Sequence, residues 1–121
     1  MRFSFVTIHV KDLDKSVSFY TDLLGFGVRR WFSPRPGFEI VFLKDRAGGT
    51  VELIRGGEAP KDAGDVSLGF AVESLDETLA MLREKGVAIA RGPIATPGGP
   101  KFAFVRDPDG VEVEFIEGLG A

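Results

Sequence analysis

An internal repeat is the feature that most constrains the fold of this chain. Residues 42–56, FLKDRAGGTVELIRG, reappear at 104–118 as FVRDPDGVEVEFIEG, and this shift aligns Glu52 with Glu114. The same shift aligns VKDLDKSV with VESLDETL. Two copies are too few for a solenoid, which needs at least three stacked repeats. The sequence therefore predicts two similar half-domains, with equivalent positions of both copies at one shared site.

Composition and charge restrict the class of protein. A chain of 121 residues is one domain in length and buries roughly 65% of its surface on folding, enough for a core without staples. It has no cysteine, which excludes disulfides and thiolate ligands, and its net charge of −3 disfavours nucleic acid as a partner. The sequence shows neither the pattern of a signal peptide nor the apolar run of a membrane span. We therefore expect a cytoplasmic protein that binds neither nucleic acid nor membrane.

Hydrophobic periodicity gives the same order of elements in each copy: a strand, a helix and then three strands. Asp12 or Asp14 is expected to cap the first helix. Strands are expected at 3–10, 27–33, 38–43, 50–55, 66–72, 87–95, 101–106 and 111–117, and helices at 12–24 and 74–85. The fold class is therefore α+β, one domain of two βαβββ modules at 1–56 and 66–121, joined by an exposed linker at 57–65.

Side-chain alternation along the strands separates a core face from a pocket face. A helix covers one face of each sheet and requires apolar residues there, so the carboxylates fall on the opposite face. Carboxylates beside Phe and Ile indicate a pocket rather than an open solvated sheet, and small residues leave room for a ligand. The pocket face is expected to carry Phe5, Thr7, His9, Thr50, Glu52, Ile54, Ser67, Gly69, Ala71, Glu112, Glu114 and Ile116. A separate aromatic cluster is interpreted as core, with a ligand wall as the alternative: Trp31, Phe32, Phe38 and Phe42.

Four motifs, taken together with the repeat, resemble the vicinal oxygen chelate superfamily, also called the glyoxalase/bleomycin-resistance/dioxygenase fold. They are VKDLDKSVSFYTDLLGF at 10–26, VEL at 51–53, FAVESLDETLAMLREKG at 70–86 and DPDGVEVEF at 107–115. The resemblance covers essentially the whole chain. It implies two βαβββ modules forming a curved mixed sheet around a cleft, a small-molecule ligand, and a homodimer that completes the cleft.

The resemblance also implies four positions for metal ligands, and only half of them suit a metal. They are Phe5, Glu52, Ser67 and Glu114. Phenylalanine has no donor atom, and a neutral serine hydroxyl is a poor ligand for a divalent transition metal compared with imidazole. No transition metal is therefore expected as a cofactor, whereas a hard, oxygen-liganded divalent ion stays open. By the same resemblance, His9, the one histidine, is expected on the pocket wall, and the alternative is a partly buried histidine that is hydrogen-bonded to a neighbour.

Three functions follow as hypotheses. The first is a metal-independent binder that sequesters an aromatic or peptide-like antibiotic, favoured by the missing imidazoles, 11 phenylalanines and the small residues Gly69 and Ala71. The second is a metalloenzyme, a glyoxalase-like lyase or isomerase or a ring-cleaving dioxygenase, with a metal on Glu52, Glu114 and a contribution from His9. The third is a metal-free enzyme in which Glu52 and Glu114 act as the acid and base.

Overall fold

The computed structural model describes residues 5–57 and 66–118. The chain divides into two compact units, residues 1–62 and 63–121, called here the first and the second module. Each contains a four-stranded mixed sheet and a helical segment, so the predicted α+β fold with tandem modules is confirmed. The predicted linker, apart from Gly57, lies outside the described residues.

The first module begins its helix where the sequence predicts. The Asp12 carboxylate accepts a hydrogen bond from the backbone N–H of Lys15 at 3.1 Å, which caps the helix. The last turns widen into a π-helical segment, and Gly25, at a φ of 78° that favours glycine, follows it. The elements are β1 (Val6–His9), α1 (Leu13–Ser18, continued by the π-helical Phe19–Leu23), β2 (Gly27–Phe32), β3 (Glu39–Lys44) and β4 (Thr50–Arg55).

The sheet of the first module has the order β1-β4-β3-β2. β1 runs parallel to β4, and the other neighbours are antiparallel. The core lies on one face of this sheet, where Ile8, Val41 and Leu53 are buried together with Leu13 and Tyr20 of the helical segment. Residues of alternate parity on β4 are only half-buried, so the predicted two-faced strands are present.

The second module repeats the plan with β5 (Ser67–Val72), α2 (Leu75–Glu84), β6 (Arg91–Ala95), β7 (Lys101–Arg106) and β8 (Glu112–Glu117), in the sheet order β5-β8-β7-β6. Ser74 caps α2 by accepting a hydrogen bond from the N–H of Glu77 at 3.2 Å, at the helix start expected from the sequence. A second bond fixes the same helix start: the Glu117 carboxylate of β8 accepts from the N–H of Leu75 at 2.8 Å.

One predicted strand is wrong in its first half. The prediction over 87–95 is replaced by a strand that begins at Arg91, and its pairing with β7 shifts register before Ile94. Gly92 and Pro93 lie within this shift. The shift has a local cause, because Gly92 has a φ of 95° and Pro93 has no N–H to give to the ladder.

No helix in the described part of the chain is long and apolar enough to cross a membrane.

Candidate functional site

The first module presents a polar and aromatic face opposite its core, called here the open face. One row across it joins all four strands: Thr7 lies opposite Glu52, Glu52 opposite Phe42, and Phe42 opposite Arg30. Neighbouring rows carry the remaining side chains of the same parity, which are Phe5, Lys44 and Thr50 on one side and His9, Phe32, Ile40 and Ile54 on the other.

Thr7 is the partner of Glu52. Its hydroxyl donates to the Glu52 carboxylate at 2.7 Å, across the parallel pair of strands. Phe5, the position that the resemblance assigned to a metal ligand, lies one row away with 43% of its surface exposed. Sequence parity places Thr7 on this face. It does not give the register between β1 and β4, which is what brings Thr7 beside Glu52.

Aromatic rings form part of the open face. The Phe5 ring meets Phe42 edge-on at 5.7 Å between centroids, and Phe32 stacks parallel to Phe42 at 6.5 Å. The Arg30 guanidinium lies 4.1 Å above the centre of the Phe32 ring. The interpretation of Phe32 and Phe42 as core residues is therefore wrong, because both are half-buried on the face opposite the buried core residue Val41.

Trp31 lies on the other face of β2. Its indole N–H donates to the Glu39 carboxylate at 3.0 Å, and the Arg55 guanidinium forms an ion pair with the same carboxylate. These two partners, the Trp31 bond first, lower the pKa of Glu39. These three side chains form a network at the surface. Trp31 therefore does not belong to the aromatic ligand wall that was the alternative interpretation of the cluster.

The open face contains a depression of about 690 Å³. Its lining residues are Phe5, Arg29, Arg30, Phe42, Lys44 and Thr50. The three cationic residues are not among the pocket residues expected from the sequence. The available signal was the adjacent pair Arg29-Arg30, but strict alternation sends neighbours to opposite faces. A register shift between Val28 and Arg30 removes that restriction.

The second module has a corresponding row with the same charges, but its arginine is paired with a glutamate of the neighbouring row. Gly69 lies opposite Glu114, Glu114 opposite Phe104, and Phe104 opposite Arg91. Arg91 forms an ion pair with Glu112 at 2.9 Å, and its guanidinium lies 4.0 Å above the Phe104 ring.

Two further residues of the predicted pocket complete this region. The Ser67 hydroxyl donates to Glu112 at 3.2 Å, so the Glu112 carboxylate is already compensated by two partners. Ala71 lies opposite Ile116, one row beyond Gly69. The expectation that Glu52 and Glu114 share one site stays a prediction, as does the pocket role of His9.

The donor atoms within each module do not fit a transition-metal centre. Over residues 5–57 and 66–118 there is no group of three or more His, Asp or Glu side chains that could hold an ion. Glu52 has a neutral hydroxyl as its neighbour, and the position next to it along β1 that would supply an imidazole holds the hydrocarbon ring of Phe5. Divalent transition metals prefer imidazole to a neutral hydroxyl.

Comparison with known proteins gives a consistent assignment. The sequence profile of the Glyoxalase/Bleomycin resistance protein/Dioxygenase superfamily matches residues 2–115. A probable lactoylglutathione lyase of Synechocystis sp. is 34% identical over 120 residues, covering 91% of this chain and 90% of that protein. A glyoxalase family protein from Enterococcus faecalis has a similar structure, with a TM-score of 0.82, 27% identity and coverage of 96% of this chain and 97% of that chain. The trypanothione-dependent glyoxalase I of Leishmania major is similar at a TM-score of 0.77, with 30% identity and coverage of 97% and 87%.

Proposed function

Since this chain belongs to the Glyoxalase/Bleomycin resistance protein/Dioxygenase superfamily, we propose that it binds a small, partly aromatic molecule without the help of a transition metal. The observation that carries the proposal is the neighbour of Glu52. A threonine hydroxyl lies 2.7 Å from this carboxylate, and a phenylalanine occupies the position next to it where an imidazole would be needed.

The open face of the first module supports binding through apolar contact. Phe5, Phe32 and Phe42 form a continuous set of rings, and the Phe5 ring is exposed enough to meet a ligand. Aromatic side chains contribute large apolar contact areas and pair with other aromatic groups in edge-on or offset-stacked geometry, so this face suits a flat ligand. The Thr7–Glu52 pair beside them supplies a fixed acceptor that can orient a ligand hydroxyl or N–H.

Sequestration is the form of binding that we propose. A binder of this kind needs a site that captures its ligand and returns it unchanged, so it requires neither a metal nor an activated nucleophile. The absence of cysteine and the single histidine leave few groups for covalent catalysis.

Metal analysis combined with ligand titration tests this proposal. Protein purified without an affinity tag is expected to contain far less than one equivalent of transition metal, and its affinity for N-phenyl-1-naphthylamine, a neutral aromatic dye, is expected to be the same before and after treatment with a chelator. Stoichiometric bound metal, or loss of dye binding on chelation, would contradict it.

A glyoxalase-like lyase is the second candidate, because the Synechocystis relative is described as a probable lactoylglutathione lyase and both glutamates are retained in this chain. Glu52 and Glu114 would then hold a divalent ion or act as an acid–base pair. Formation and breakdown of lactoylglutathione, followed with and without added Ni²⁺, Zn²⁺ and Mg²⁺, distinguishes these forms. Turnover that needs a metal supports the metalloenzyme, and metal-independent turnover supports the acid–base pair.

We also propose that the protein is a cytoplasmic homodimer. Support comes from the family resemblance and, for the compartment, from a composition without cysteine.

A further inference from the structure

We infer that the molecule bound by the first module is an organic anion, whose charged group lies among Arg29, Arg30 and Lys44 while its flat apolar part lies against Phe5 and Phe42. The inference rests on the proposed function and specifies the class of ligand.

The depression has the size and the lining that such a ligand requires. Its volume of about 690 Å³ lies within the roughly 300–1,000 Å³ of small-molecule sites. Three of its six lining side chains are cationic, two are phenyl rings and one is a neutral hydroxyl. None is a carboxylate, although the chain as a whole carries a net charge of −3. The positive charge is therefore a local property of this depression.

A backbone irregularity concentrates this charge. In regular pairing Arg29 and Arg30 would point to opposite faces of the sheet. The register shift between Val28 and Arg30 lets both side chains line the depression, with Lys44 of β3 on the same face. Bulges of this type re-aim side chains and are common beside binding sites.

The second module shows how the same row behaves when its charge is compensated. Arg91 has the same register position as Arg30, since each lies opposite the equivalent phenylalanine. Glu112 pairs with Arg91 at 2.9 Å, but the residue equivalent to Glu112 in the first module is the neutral Thr50.

Among the described residues, the three cations that line the depression have no counter-charge. Within the described ranges, no carboxylate lies at ion-pair distance from Arg29, Arg30 or Lys44. Like charges that converge on a concave surface repel, and a bound anion relieves this repulsion. An arginine also offers two N–H groups to a carboxylate, sulfonate or phosphate oxygen pair.

The rings and Glu52 set the direction of the ligand. The Arg30 guanidinium rests on Phe32 at 4.1 Å, which holds it in place beside Phe42. The Glu52 carboxylate, on the opposite side of Phe42, repels an anionic group. The charged end of the ligand is therefore expected over β2 and β3, and its apolar part over Phe42 and Phe5.

Two dyes with a common skeleton test the inference by fluorescence titration: 1-anilinonaphthalene-8-sulfonate, which is anionic, and N-phenyl-1-naphthylamine, which is neutral. The double variant Arg30→Gln/Lys44→Gln is expected to weaken binding of the anionic dye by about tenfold or more and to leave the neutral dye within about twofold. Arg35→Gln is the matched control. Arg35 also stacks on a phenyl ring, 4.0 Å from Phe38, but lies outside the depression, so neither dye should be affected.

A second variant keeps all three cations. Thr50→Glu introduces a carboxylate at the position where the second module has Glu112. It is expected to weaken binding of the anionic dye about as much as the double variant does. If the double variant has a lower melting temperature, its weaker dye binding could reflect a loss of folding. In that case Thr50→Glu tests the role of the positive charge.

The outcomes separate the inference from the proposed function. The inference is overturned if the variants weaken binding of both dyes equally, or if neither Arg30→Gln/Lys44→Gln nor Thr50→Glu changes binding of the anionic dye. In either case, binding of the neutral dye by the wild type still supports the proposed function. If the wild-type protein binds neither dye, the proposed function fails and the inference fails with it.

Discussion

Arg30 and Arg91 occupy the same register position in the two modules, the first opposite Phe42 and the second opposite Phe104. Of these two arginines, only Arg91 has an ion-pair partner in the described part of the chain, and that partner is Glu112. A duplicated sheet has thus kept its cation in both copies and its counter-charge in one. If the first module binds an organic anion as inferred, the two copies have different parts in binding, because uncompensated charge attracts a ligand and compensated charge does not.

A first prediction concerns metal affinity. The double change Phe5→His/Ser67→His restores imidazole at the two first-strand positions where the family resemblance implies metal ligands, so it is expected to create Ni²⁺ or Zn²⁺ affinity where the unchanged chain shows little. Calorimetric titration measures it, with Phe5→Leu/Ser67→Ala as the control that adds no donor. Tight binding of one equivalent by the unchanged protein would contradict the argument.

A second prediction tests the sharing of one site by Glu52 and Glu114. If the carboxylates are neighbours, removing either charge relieves repulsion, so the effects of Glu52→Gln and Glu114→Gln on the free energy of unfolding are expected to be non-additive by more than about 0.5 kcal/mol. Chemical denaturation of the two single variants and the double variant measures the coupling. Strict additivity would place the two carboxylates apart and remove the acid–base hypothesis.

A third prediction concerns pH. The N–H of Leu75 donates to Glu117 and, with Lys101 at 3.5 Å as a smaller influence, lowers the pKa of this carboxyl in the folded state. A lowered folded pKa stabilises the protein fully above the unfolded value of about 4.3, and this contribution is lost as pH falls through the lower folded value. Unfolding experiments between pH 7 and pH 3 are expected to show a steeper loss of stability below about pH 4.3 for the wild type than for Glu117→Gln.

Salt identifies the cause of this pH effect. Because the backbone bond to Leu75 is the larger influence, most of the difference between wild type and Glu117→Gln should persist in 0.5 M NaCl, which screens exposed charges. Its disappearance in salt would instead assign the effect to Lys101.

A fourth prediction compares two equivalent glycines at the ends of β4 and β8. A Cβ on Gly56, whose φ is 137°, would lie 2.7 Å from the Phe38 ring and closer still to the Gly37 carbonyl oxygen, whereas the nearest atom for Gly118, at a φ of 83°, is 3.7 Å away. Gly56→Ala is therefore expected to cost at least about 2 kcal/mol of stability and Gly118→Ala about 1 kcal/mol. Equal melting temperatures for the two variants would contradict this difference.

A fifth prediction concerns assembly. Light scattering at micromolar concentration is expected to give twice the mass of the 121-residue chain. A monomer would remove the proposal that a second copy completes the site.

The fold could be predicted because its signals are local. Asp12 and Ser74 are capping residues at the two helix starts. The repeat at 42–56 and 104–118 supports the same assignment of elements in both modules, and alternation identifies the core face of β4 and β8. The strand at 87–95 was only half right, because the alternating pattern of residues 87–90 continues into the strand without marking its start at Arg91.

The candidate site was less predictable because it depends on register. Parity places Thr7 and Glu52 on one face, but the 2.7 Å bond between them follows from the offset of two parallel strands distant in sequence. Arg29 and Arg30 were missed since alternation forbids both from facing one depression, and only the observed irregularity after Val28 allows it. The charge of Lys44 is visible in the sequence, but the sequence does not show that no described carboxylate lies at ion-pair distance from it.

The pairing of first strand with last in each sheet has a consequence for synthesis. Thr7 and Glu52 are 45 positions apart in the sequence, as are Ser67 and Glu112. The hydrogen bonds between β1 and β4 therefore cannot form until β4 is available. Contacts that span such distances form slowly, and domains fold as units while the ribosome still works. In the nascent chain the β2–β3 hairpin therefore carries an unpaired edge until β4 has emerged and paired with it.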